Sequence, residues 1–298
     1  MNFHDRKTGI AAEADGVRYL PVAPHENPPP KRRNERLAAL ATSPLLGSRL
    51  LFPRRFDRDF ARVCGGGAVR AVTPEHAAFF FGKAVRLDLD PFSLKCRISD
   101  WVRHPEGVHW VGIAFLDAAD WSAAISEVAN SPIHNETLEI VAAGENFRDT
   151  QAYRAMIQAI EAGRPPTRNK VKLVTAADVD AYFHYCNDII DNIRARGFVR
   201  LAESGPFHRM RIKHRDVRPV LHDATELDVG VAITEDGEII RHLGGKHRTA
   251  IAMALKLKTM PVEVRMVHAR WLARQVERTG LAPHRALVEG VRDLLARR

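Results

Sequence analysis

Residues 235–252 have the sequence EDGEIIRHLGGKHRTAIA, and this stretch decides the fold. Asp236-Gly237 is a strong signal for a hairpin, and the apolar residues that follow it are typical of a strand. Gly244-Gly245 then allows the backbone to turn sharply and to approach a ligand closely. A helix rich in alanine is predicted to begin at Lys246 or His247. The pattern is therefore hairpin, strand, glycine turn and helix.

The start of this helix is predicted to bind an anion. A helix N-terminus offers unpaired N–H groups and a partial positive charge, and basic side chains lie at the same point of the chain. Phosphate is the anion that suits such a turn. A tight strand–helix turn with solvated basic residues is the structural alternative. The predicted phosphate-binding set comprises Gly244, Gly245, Lys246, His247, Arg248 and Thr249.

The same stretch resembles a known family. Gly245-Lys246-His247-Arg248 is similar to the Gly-x-x-Arg signature that opens a helix in the ParB/sulfiredoxin-like fold. The following helix, loop and Pro261-Val262 strand resemble the family's continuation, and residues 211–219 resemble its first strand and proline-containing exit. The resemblance covers about residues 205–268. It implies that the turn holds the phosphates of a nucleoside triphosphate, either ATP or CTP.

This chain departs from each of three members of that superfamily. Sulfiredoxins need a nucleophilic Cys where this chain has Lys246, which excludes their thiol chemistry at this position. Chromosome-partition ParB proteins carry a helix-turn-helix region after the nucleotide domain, but only about 30 residues follow the last predicted strand here. Small-molecule kinases of this fold have a catalytic Asp in the turn, where this chain has Gly244-Gly245.

Two carboxylates precede the strand predicted at Val229–Ile233, and they are the candidates for the missing catalytic Asp. Glu226 and Asp228 are two residues apart, so they share a face if the strand begins there. They are either turn carboxylates or the Mg²⁺ ligands and general base that phosphoryl transfer needs. The second alternative predicts a nucleotide-dependent, kinase-like phosphotransferase with a small hydroxyl-bearing molecule or sugar as acceptor. The alternative function is a non-enzymatic ParB-like module that binds nucleotide or nucleic acid.

The chain in order predicts a mixed α+β protein. Residues 1–45 are predicted to form an extended basic and proline-rich arm, and residues 46–165 an α+β region of unassigned role with strands at 85–90 and 108–115. Residues 166–298 are predicted to form the ParB/sulfiredoxin-like nucleotide-binding domain. Within it, Thr175 is expected to cap a helix that ends at Gly197.

Net charge, cysteine spacing and apolar content indicate which partners and which compartment to expect. The 298 residues carry a net charge of +9, a balance that suits phosphorylated ligands, nucleic acid or anionic surfaces. Nucleic acid is thus a possible partner, but a small-molecule acceptor is favoured. The three cysteines are far apart and predict a reducing compartment without disulfides. No apolar run is long enough to span a bilayer, so a cytoplasmic location is expected.

Overall fold

The computed structural model describes residues 51–67, 72–99, 101–104, 107–112, 114–168, 171–198, 229–242 and 244–297. Contacts divide these residues between two compact units. The helical unit contains the described residues of 132–227 together with 250–257. The sheet unit contains the described residues of 51–131, 228–249 and 258–297.

Eleven strands and eight α-helices occur within the described residues, so the predicted mixed α+β class is confirmed. The strands are β1 (Arg86–Leu89), β2 (Cys96–Ile98), β3 (Trp101–His104), β4 (Gly107–Trp110), β5 (Leu116–Asp117), β6 (Ile125–Glu127), β7 (Thr167–Arg168), β8 (Val171–Lys172), β9 (Val229–Ile233), β10 (Ile239–Arg241) and β11 (Met260–His268). The helices are α1 (Phe52–Cys64), α2 (Pro74–Phe81), α3 (Pro132–Ala143), α4 (Gln151–Glu161), α5 (Ala176–Arg196), α6 (Lys246–Ala254), α7 (Ala269–Thr279) and α8 (Pro283–Ala296).

A seven-stranded mixed sheet forms the centre of the sheet unit. Its order is β1-β11-β9-β10-β2-β6, and β5 pairs with the end of β11. The two middle strands, β9 and β11, run parallel and are buried at every residue except the half-buried Arg265. Strands covered on both faces are nearly continuous in apolar residues, which explains the sequences of both strands.

The predicted hairpin is confirmed between β9 and β10, which pair antiparallel. The turn closes with two backbone bonds: the N–H of Thr234 donates to the carbonyl of Glu238, and the N–H of Gly237 donates to that of Thr234. The loop therefore has three residues between the closing pair, one more than the two-residue turn that Asp236-Gly237 most often forms. After this loop the chain forms β10, and the glycine turn follows in sequence.

Aromatic side chains join the helices of the sheet unit to its sheet. The Phe52 ring stacks on that of Phe80 with centroids 4.1 Å apart, and Phe56 meets Phe81 edge-on at 5.3 Å. Phe81 in turn lies against Phe115, 6.1 Å away, in the segment that enters β5. Burial of such large rings is the main force that holds α1 and α2 on this unit.

The helical unit is organised around α5. Thr175 and Asp178 form a capping box at its start, and Gly197 follows its last residue, so both predicted ends are confirmed. Its buried face carries Tyr182 and Phe183, both fully buried. The Tyr182 hydroxyl donates to Oε1 of Glu136 at 2.7 Å, and Arg168 binds the same carboxylate through two bonds. The buried carboxylate is thus satisfied by hydrogen bonds from two elements.

The units do not follow the boundary predicted at residue 165. Strands β1, β2, β5 and β6 precede that point yet belong to the same sheet as β9–β11. Local patterns predicted the elements but not this pairing between distant segments of the chain. The strand predicted at 108–115 is present only at its beginning, because β4 ends at Trp110, a turn follows at 111–112, and β5 begins at Leu116. The predicted arm at 1–45 lies outside the described residues.

Candidate functional site

The glycine turn and the helix start that the sequence predicted are both present. Gly244 and Gly245 have φ of 80° and 69°, a region that favours glycine, and α6 begins at Lys246. A Cβ placed on Gly245 would lie 2.6 Å from Cγ2 of Val229, the first residue of β9. The turn therefore needs a glycine at Gly245 both for its backbone angle and for its close approach to the sheet.

Thr249 holds the first turn of α6 in place. Its N–H donates to the carbonyl of Gly245 at 2.8 Å, and its hydroxyl donates to the same oxygen at 2.9 Å. The side chain is fully buried. Thr249 belonged to the predicted phosphate-binding set, but its hydroxyl hydrogen is already used within the turn. We therefore assign it to positioning the turn.

Thr249 bonds to Gly245, the residue before α6, and the backbone N–H groups of the three residues between them lie in the first turn of the helix. These groups belong to Lys246, His247 and Arg248, whose side chains are half-buried. The Nη1 atom of Arg248 is itself buried. The structure thus brings the backbone donors and three basic side chains of the predicted set together at one helix start.

Arg265 adds a guanidinium that the sequence analysis did not identify. The register between β9 and β11 shifts between Val264 and Met266, which makes Arg265 a bulged residue. A Cβ placed on Gly244 would lie 3.5 Å from Nη1 of Arg265, so this guanidinium lies against the turn. A bulge changes the direction in which a side chain leaves its strand. Here the bulged residue is Arg265, whose guanidinium lies against Gly244.

A buried arginine lies on β10, which β9 separates from β11. Arg241, at the end of β10, is 2% exposed and is the register partner of both Arg97 and Val231. Residues paired across a sheet share a face, and side chains alternate along a strand. Arg97 and Arg241 therefore project from the face that also carries Val229, on which Gly245 packs.

Glu263 is a buried carboxylate that faces Arg86 and Arg265. It is 2% exposed, and its Oε1 lies 3.6 Å from Nε of Arg86 while its Oε2 lies 4.0 Å from Nε of Arg265. One negative charge thus faces at least two guanidinium groups. The described groups around the turn therefore have a net positive charge, which favours an anionic ligand.

His242 remains neutral beside these charges. Burial, together with the positive charges of Arg265 and Arg241, lowers the pKa of His242 to about 3. Its Nε2 lies 3.2 Å from the carbonyl of Val111, which can only accept, so Nε2 carries the proton. The backbone N–H of His242 donates to the carbonyl of Gly230 at 2.8 Å and extends the β9–β10 ladder.

The predicted carboxylates Glu226 and Asp228 lie outside the described residues, as does the basic segment 211–215. The residue after Asp228 is Val229, which contacts Gly245. Among the described residues, no group of three His, Cys, Asp or Glu side chains is arranged to hold a metal ion. In the same part of the chain, no helix combines the length and the apolar character needed to cross a bilayer.

One sequence signal could have identified the additional residues. Glu263 and Arg265 are two residues apart within an otherwise apolar strand, where a buried charge needs a partner or a ligand. The burial of Arg241 depends on neighbouring strands and has no such local signal. Comparison of this chain with models of protein families, with curated proteins and with solved structures finds no match.

Proposed function

We propose that the protein binds the phosphates of a nucleoside triphosphate, ATP or CTP, at the turn formed by Gly244 and Gly245. The observation that carries this proposal is the approach of the Arg265 guanidinium to the turn at which α6 begins. A phosphate there can accept from the backbone N–H groups of the helix start and from guanidinium donors on a neighbouring strand. Such charge-assisted bonds are about twice as strong as neutral ones.

The reaction proposed for this site is transfer of the phosphoryl group to a small hydroxyl-bearing acceptor or a sugar. Phosphoryl transfer depends on positioned phosphates, a divalent metal and a carboxylate that orients the attacking hydroxyl. Asp228 and Glu226 are the proposed carboxylates and Mg²⁺ ligands. The contact between Val229 and Gly245 supports this assignment, because the chain enters β9 directly beside the turn. The resemblance to the ParB/sulfiredoxin-like fold supports the nucleotide as ligand.

A non-enzymatic ParB-like module is the second candidate. It is favoured by Gly244-Gly245, which replaces the Asp that the kinases of this fold carry in the turn. The two candidates share the phosphate site and differ in turnover. The enzyme consumes ATP or CTP in the presence of its acceptor, whereas the module binds nucleotide without transfer.

Calorimetric titration of ATP, ADP and CTP tests the shared site. Arg248→Ala should weaken binding by roughly 1.5–3 kcal/mol, or about 10- to 150-fold, because a charge-assisted phosphate contact is lost. Arg292→Ala is the matched control, since Arg292 is exposed on α8 and pairs with Glu289 at 2.8 Å. Equal affinity of parent and Arg248→Ala for every nucleotide that binds would refute the site.

Turnover with a library of hydroxyl-bearing metabolites then separates the two candidates. Asp228→Asn should leave Mg²⁺-free nucleotide affinity nearly unchanged and should lower Mg²⁺-dependent transfer by about 10²-fold or more. Transfer at the parental rate by this variant would remove Asp228 from the mechanism. Binding without transfer in the parent, for every acceptor in the library, would favour the module.

A further inference from the structure

The helix α1 carries a row of arginines on its exposed face. Arg54, Arg58 and Arg62 recur every four residues and are all exposed, while Phe52, Phe56 and Val63 on the opposite face are buried. Four residues advance a helix by about 6 Å along its axis, so the three guanidinium groups follow one line. We call this line the arginine row.

Neither carboxylate of α1 forms an ion pair with the row. Asp57 accepts from the backbone N–H of His284 and lies 3.0 Å from Nδ1 of the same residue. Asp59 is 2% exposed, and its burial raises the pKa of its carboxyl group despite the arginines nearby. In the described part of the chain, no carboxylate forms an ion pair with Arg54, Arg58 or Arg62.

The row belongs to a strongly basic part of the sequence. Residues 31–62 contain nine Lys or Arg and three Asp or Glu, so they contribute six of the nine net positive charges of the whole chain. Like charges four residues apart destabilise an isolated helix, so folding alone gives no reason for this row. A concentrated basic surface of this kind is the electrostatic signature of a polyanion-binding site.

The chemistry of the row favours nucleic acid over a membrane. A helix that binds at a membrane surface inserts its apolar face into the lipid, but the apolar face of α1 is buried within the protein. All the basic residues of α1 are arginines, whose planar guanidinium groups bind phosphate through two parallel bonds. Double-stranded DNA presents about one charge per 1.7 Å of its axis, so its phosphates are more closely spaced than the arginines of the row, which are about 6 Å apart.

We propose that the arginine row of α1 binds the phosphate backbone of nucleic acid without reading its sequence. Phosphate contacts position a protein on nucleic acid but carry no sequence information by themselves. This surface is independent of the proposed nucleotide site, because none of its residues belongs to the glycine turn or to its arginines.

Fluorescence anisotropy with a labelled DNA duplex of mixed sequence, and with its single strand, tests the proposal on the full chain. The parent should bind, and its affinity should fall steeply between about 50 and 200 mM salt. Replacing Arg54, Arg58 and Arg62 together by Gln should reduce affinity by about tenfold or more and should lower the slope of log K against log salt by about 2.7 on the duplex. Replacing the same three by Lys should restore most of the slope.

The control variant changes three exposed arginines elsewhere to Gln: Arg194, Arg285 and Arg292. It has the same net charge as the variant of the row. An equal loss of affinity in both variants would show that binding depends on overall charge and not on the row, and it would overturn the proposal. Unchanged affinity in the variant of the row would also overturn it. Binding to vesicles of anionic lipid but to neither DNA probe would assign the row to a membrane surface instead.

Discussion

Gly245→Ala tests the geometry on which the proposed site depends. The new methyl group would meet Cγ2 of Val229 at 2.6 Å, Cγ1 at 3.0 Å and Cβ at 3.1 Å. Val229 is fully buried in β9, and a β-branched side chain has few rotamers to which it can move. Residue 245 also has φ of 69°, where an L residue is strained. The substitution therefore combines a backbone cost with a steric clash.

These two costs have known scales. The left-handed conformation disfavours alanine by about 1–2 kcal/mol, and overpacking a rigid site costs roughly 1–3 kcal/mol. Alanine also restricts the unfolded chain, which offsets about 0.4–1 kcal/mol. We therefore expect Gly245→Ala to lower the free energy of unfolding by roughly 1–5 kcal/mol.

Urea unfolding of a double-mutant cycle separates the two costs. Val229→Ala removes the two γ carbons that clash, so the double variant should recover about 1–3 kcal/mol relative to additivity. Gly244→Ala is the matched control: its φ is 80°, but its new Cβ would meet only Nη1 of Arg265, at 3.5 Å, so it should show the backbone cost without the clash. Strict additivity of Gly245→Ala and Val229→Ala would refute the contact between turn and sheet.

Two further predictions follow from the same structure. The fragment 166–298 lacks four strands of the main sheet, so it should show no cooperative thermal transition, and a sharp transition would show that β9–β11 form a core alone. His242 has its pKa lowered to about 3 in the folded protein, so below pH 6.5 the unfolded chain binds a proton that the folded chain does not. Stability should then fall by up to about 1.4 kcal/mol per pH unit from pH 6.5 towards pH 3, and His242→Gln, compared by urea unfolding at pH 7 and pH 5, should reduce this slope.

The elements were predictable where their signals are local. Asp236-Gly237 predicted a hairpin, and Thr175 predicted the start of a helix that ends at Gly197. Each of these depends on residues close together in sequence. The order of the sheet was not predictable in this way, because β1 pairs with β11 across more than 170 residues. Such pairing depends on which apolar faces meet in the folded chain, and a single sequence does not specify that locally.

The candidate site likewise has a part that is predictable from local sequence and a part that is not. The glycine turn and the basic start of α6 are contiguous in sequence, and the structure brings them together as predicted. Thr249 was predicted to bind phosphate, but its hydroxyl donates to the carbonyl of Gly245, because it lies one turn along the helix from that residue. Arg241 and Arg265 come from two strands, and only the folded sheet reveals the burial of one and the approach of the other to the turn.

The burial of charged residues in the main sheet has an energetic cost that needs an explanation. Arg241 and Glu263 are each 2% exposed, whereas Val231, the register partner of Arg241 on β9, and Val264, next to Glu263 in β11, are apolar and fully buried. Taking charges out of water costs several kcal/mol per ion, and apolar replacements of buried ion pairs are often neutral or stabilising by about 1–4 kcal/mol. A sheet selected for stability alone would therefore carry apolar residues at these positions as well. An anion that binds only the folded protein changes that balance, since it stabilises by about 2.7 kcal/mol at a concentration 100 times its Kd. Under the proposed function, a bound anion would offset part of the cost of burying Arg241.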